Sequence, residues 1–171
     1  MNWWAGSPAG RPPIVGFLAI YLNDHLAGAT VGAELARRAA RSNRGSAYGQ
    51  FLDELSTEIG ADRESLLAIM RSLRVRVDRV KVSAAWAAEK LGRMKLNGQL
   101  RGYSPLSRLV ELEALTLGVF GKLALWRALD QLEPERPELS KATLQDLIAR
   151  AQRQLESLEA QRRNAVTDSL A

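Results

Sequence analysis

The chain contains no cysteine and only one histidine, His25. The first absence removes disulfides, thiolate metal ligands and a cysteine nucleophile, and leaves the redox compartment open. The second removes any histidine-rich metal site and leaves a Ser-His-Asp triad only that one imidazole. Aromatic residues make up only 6% of the chain, with no array suited to base stacking. Glycine is present but never spaced as a phosphate cradle, and no Walker, Rossmann, zinc-finger or EF-hand spacing occurs. The longest apolar run near the start, Ile14 to Leu22, is too short to span a bilayer and ends at Asn23-Asp24-His25. Its periodicity continues past Ala27-Gly28-Ala29, which argues against a signal peptide cut there, so a soluble cytoplasmic protein is expected.

What is present is helical periodicity. A length of 171 residues suits one domain, with enough chain for a full hydrophobic core. Residues 1–13, rich in Gly and Pro, read as an irregular arm on which Trp3 and Trp4 either tuck against the body or anchor a partner. Apolar stripes then predict helices over 14–42, 47–74, 79–97 and 105–132. Gly60 interrupts the second, but Ile59 and Leu66 stay two whole turns apart, so one helix is expected. Ser104 before Pro105 is a helix start, and so is Ser140. Residues 133–139 form a linker, and 140–167 an amphipathic helix with a narrow heptad seam, packed on the other helices or used for self-association. The expected fold is all-α: an up-and-down four-helix bundle over 14–132 with an additional C-terminal amphipathic helix.

The helix over 105–132 is apolar round most of its circumference, which places it at the centre of the bundle. Leu106, Val110, Leu117, Phe120 and Ala124 form its main stripe, flanked by Leu109, Leu112, Val119, Leu123 and Trp126. A narrow strip of Ser107, Glu111 and Lys122 reads as its outer face. Glu113 falls within the main stripe and is therefore expected to be buried. Asp62 falls on the apolar face of its own helix, and His25 and Glu89 on theirs. Counted from the connecting turns at ~1.5 Å per residue, the four reach one level to within ~3 Å. A buried carboxylate requires a partner, so a core polar cluster of His25, Asp62, Glu89, Arg93 and Glu113 is expected.

In helix number, helix lengths and inward acids, residues 14–132 resemble the ferritin-like four-helix bundles, although the Glu-x-x-His motif of that family does not occur. The resemblance implies a site for a divalent metal such as iron or manganese, with His25, Asp62, Glu89 and Glu113 as ligands. Without it, no cofactor is expected.

The basic residues are unevenly placed. From Arg71 to Arg101 nine basic residues face two acids, while the remaining fifteen are outnumbered by seventeen. Arg71, Arg74, Arg76, Arg79 and Lys81 form a basic patch, either a solvated helix end or a surface for nucleic acid or an anionic membrane. The leading functional expectation is a non-enzymatic protein with a structural or protein-interaction role, self-associating or bound to a protein partner. Metal binding and phosphate binding are the alternatives.

Overall fold

The computed structural model describes residues 14–78 and 103–171, and every element in that range is helical. The arm over 1–13 and the expected helix over 79–97, with Arg79, Lys81, Glu89 and Arg93, lie outside the described residues. The helices are α1 (Ile14–Ser42), α2 (Gly49–Ser72), α3 (Pro105–Leu132) and α4 (Lys141–Leu170), with a 3-10 turn over Glu133–Glu135.

Side-chain chemistry fixes the helix starts. The Ser104 hydroxyl accepts the Ser107 backbone N–H at 3.1 Å, and Pro105 fills the first turn, where a missing N–H is harmless. Ser140 caps α4 in the same way through Thr143. Between α1 and α2 the chain turns through Gly45, whose φ of 79° suits a residue without Cβ. Gly49, just beyond, lies so close to the preceding turn that an added Cβ would sit 2.7 Å from the Asn43 carbonyl oxygen. Gly60 leaves α2 unbroken.

α1 packs on α2, α3 on α4, and α1 crosses to α3. Ion pairs show that α3 and α4 run antiparallel: Asp130 meets Lys141 at one end and Arg108 approaches Asp168 at the other. The core between the helices is aliphatic, with Leu22, Leu52, Leu66, Leu112, Leu129, Leu144 and Leu158 all buried around Trp126. On α4 the expected seam is directed at this core, Ala151, Leu158 and Ala165 being fully buried.

α3 buries the flank of its apolar pattern and leaves the main stripe outside. Leu109, Leu112, Leu115, Val119, Leu123, Trp126 and Leu129 are buried, whereas Leu106, Val110, Leu117 and Phe120 are exposed. The supposed outer strip points inward: Ser107 is buried, Glu111 pairs with Arg38 of α1, and Lys122 pairs with Asp62 of α2. A helix apolar on nearly every side carries no angular preference of its own. Its few charged residues decide the facing by finding partners on neighbouring helices.

Two polar clasps hold the ends. Asn23, itself buried, donates to the Arg76 carbonyl at 3.0 Å and accepts the Asp78 N–H at 2.6 Å, so the chain leaving α2 is pinned to α1. At the other end Asn43 donates to the Ala39 carbonyl and the Tyr103 hydroxyl and accepts from Arg108 at 2.7 Å. Arg108 lies over the Tyr48 ring, 4.4 Å from its centre, and the Tyr48 hydroxyl donates to Asp168 of α4. No described helix is long and apolar enough to cross a membrane.

Candidate functional site: a buried charge cluster beside a cleft

Asp62 is inward because Ile59 and Leu66 set its face of α2, and only 2% of it is exposed. A carboxylate this deep requires cations and donors around it. Three arrive from other helices. Arg150 of α4 donates to Oδ1 through Nε at 2.7 Å, and its Nη2 makes an ion pair with the same oxygen at 2.6 Å. Lys122 of α3 donates to Oδ2, and so does the Gln154 side-chain amide of α4, at 3.3 Å. Three hydrogen bonds and an ion-pair contact thus engage both carboxylate oxygens.

Gln154 joins the cluster together. Its amide oxygen accepts from Lys122, and its nitrogen also donates to Glu58 at 2.8 Å. Both ends of the amide are thus committed, which fixes its orientation. Burial pushes the Lys122 ammonium below the usual lysine range, with Arg150 adding to the push and the Asp62 carboxylate opposing it. Two carboxylates and two cations are in balance, so the cluster is a closed set of charges.

Beside it opens a cleft of 220 Å³ walled by α1, α2 and α3. His25 and Asp62 both line it, together with Lys122 and Trp126. His25 does not pair with Asp62. Its ring meets Tyr21 edge-on at 4.5 Å, and burial lowers its pKa against the opposing influence of Asp24.

Comparison with family models, with curated proteins and with solved structures finds no match to this chain. The site therefore rests on its own geometry. That geometry corrects the expected ligand set. Glu113 is on the outer face of α3, half exposed, with Arg162 at 3.9 Å, and takes no part in the cluster. Asp62 has cations where a metal would need free lone pairs. Among the described residues no group of three His, Asp or Glu side chains converges on a point. His25, Asp62 and Glu113 therefore do not fit a divalent metal, and Glu89 lies outside the described residues.

Arg71, Arg74 and Arg76 are exposed at the end of α2. Arg71 is in the last turn, where a cation complements the negative end of the helix dipole. Glu58, Lys122, Arg150 and Gln154 are the members of the site that the sequence pattern did not reveal. Lys122 lies seven residues from both Leu115 and Leu129, and Gln154 seven after Leu147, all buried. That heptad spacing was the available signal of an inward polar residue.

Proposed function

We propose that this chain is a non-enzymatic, up-and-down helical-bundle protein that works by association, a second copy being the partner. The observation that carries the reading is the row on the outer face of α3. Leu106, Val110, Leu117 and Phe120 are 53%, 47%, 74% and 60% exposed. With Glu113 they alternate at spacings of four and three, the spacing of a seam against another helix. Singly scattered apolar residues on a surface need no explanation, but a continuous row marks an interaction face. Self-pairing needs only this one surface, related by a two-fold axis. The charge in the row, Glu113, has Arg162 beside it, so two facing copies bring cations along with their acids.

The charge cluster supports the same reading. Asp62, Lys122, Arg150 and Gln154 spend their hydrogen bonds on each other and join α2, α3 and α4, which is the work of a structural lock.

Sedimentation velocity over a range of concentrations tests the proposal. The wild-type chain is expected to associate, and Leu117→Glu with Phe120→Glu to sediment as a monomer with unchanged circular dichroism. A wild-type chain that stays monomeric at every concentration refutes it.

A further inference from the structure

The exposed row on α3 carries a single charge, and that charge stands at its centre. Glu113 comes seven and three residues after Leu106 and Val110, and four and seven before Leu117 and Phe120. At ~1.5 Å per residue it is the midpoint of a row about 21 Å long. Its side chain is half exposed, as are the apolar residues on either side.

Two-fold symmetry gives this position a consequence. When two α3 helices pair in parallel, the axis runs along the seam and each residue of the row faces its own counterpart. When they pair antiparallel over the whole row, the axis crosses the seam at its midpoint, which is again Glu113. In both arrangements two carboxylates meet in a seam otherwise made of leucine, valine and phenylalanine, and both lose water. Like charges juxtaposed across an interface oppose association.

The neighbouring cations do not cancel this opposition. From α4, Arg162 stands 3.9 Å from Glu113, beyond hydrogen-bond length. Two bonds of 2.7 and 2.9 Å commit it instead to Glu159, one turn before it on the same helix. Its guanidinium is held above the usual range first by Glu159 and last by Glu113. Arg163 also acts on Glu159. The other charges of α3 turn elsewhere: Glu111 to Arg38 of α1, Lys122 to Asp62 of α2, Arg108 and Asp130 to the two ends of α4. Arg127 lies ~21 Å further along the helix.

We infer that Glu113 makes the pairing of two copies acid-sensitive, a regulation that rests on the association reading given above. A proton shared between the facing carboxylates replaces their repulsion with a hydrogen bond. Pairing then takes up a proton, so it strengthens as the pH falls and weakens as it rises.

Sedimentation velocity of the full chain at about pH 5 and about pH 8 tests this, with Glu113→Gln and Glu113→Asp beside the wild type. Circular dichroism checks that each variant is folded. The wild-type chain should associate about tenfold more tightly at the lower pH. Glu113→Gln keeps the shape of the side chain and every other titrating group, His25 included, but cannot carry the charge. At the higher pH it should associate at least as tightly as the wild type does at the lower, and it should lose the pH dependence. Glu113→Asp keeps the charge and should keep the dependence. An associating wild-type chain indifferent to pH, a Glu113→Gln chain with the wild-type dependence, or a Glu113→Asp chain without it overturns the role of Glu113 and leaves the association reading standing. A wild-type chain that is monomeric at both pH values overturns the two together.

Discussion

Asp62→Asn keeps the shape of the side chain and removes its charge, which isolates what the carboxylate does. Lys122 and Arg150 then face a carboxamide, and the new amide N–H2 competes with the donors already there. Their side chains differ in escape: Arg150 is 29% exposed and can turn its guanidinium to water, whereas Lys122 is 14% exposed and has little room to do so. Breaking a buried pair by removing one partner costs about 3–5 kcal/mol. With one of the two cations able to rehydrate, the lower end applies, about 3 kcal/mol. In urea, with a slope of about 1–3 kcal/mol per molar, the unfolding midpoint should fall by roughly 1–3 M without a change in slope. Adding Lys122→Met removes the stranded cation, so the double variant should recover part of the loss, with a coupling of about 1–3 kcal/mol. A single variant within about 0.5 kcal/mol of wild type, or a double variant that is simply additive, would refute the view of the cluster as a mutually dependent unit.

Two further outcomes follow from the ends of the molecule. Tyr103, with its hydroxyl between Asn43 and Glu111, has a pKa raised to about 12, chiefly by burial and then by the acidic neighbour. Because the folded form holds this proton more tightly, its contribution is complete below pH 10.0 and is lost as the pH rises towards 12. Stability of the wild-type chain relative to Tyr103→Phe should therefore decline over that window; parallel profiles would exclude the effect. Ser104→Ala removes the N-cap of α3 and should cost about 1 kcal/mol, read as a lowered denaturation midpoint, with Ser104→Thr close to wild type. Equal stability of the alanine and threonine variants would show that the cap hydrogen bond contributes nothing.

The helix boundaries were legible because they are written locally. Ser104-Pro105, Ser140 and Gly45 act on the backbone within a turn of themselves, and the structure places α1 over the expected 14–42 and α3 over the expected 105–132. The inward position of Asp62 was legible for a similar reason: Ile59 and Leu66 leave no doubt about the buried face of α2. α3 was different. Its apolar residues cover nearly the whole circumference, so hydrophobicity could not distinguish the side of Leu106 and Phe120 from the side of Leu112 and Val119. The deciding terms were ionic and non-local: Lys122 with Asp62, and Glu111 with Arg38, pairs separated by 60 and 73 residues. Glu113 was misplaced with its stripe, and the metal reading that depended on it fell for the same reason. Arg150 and Gln154 escaped notice because only the apolar heptad seam of the C-terminal helix was followed, when that helix also supplies two of the three groups that hold Asp62.

The turn after α1 puts an unusual demand on one small residue. Asn43 holds Tyr103 and Arg108 through its side chain while its carbonyl accepts both the N–H and the hydroxyl of Ser46, and Gly49 is packed directly under that carbonyl. A single methyl at position 49 would have to lift the oxygen, tilt the asparagine with it, and loosen the grip on the start of α3, sixty residues further along the chain. Among the described glycines, position 49 is the one where an added Cβ would press on neighbouring backbone.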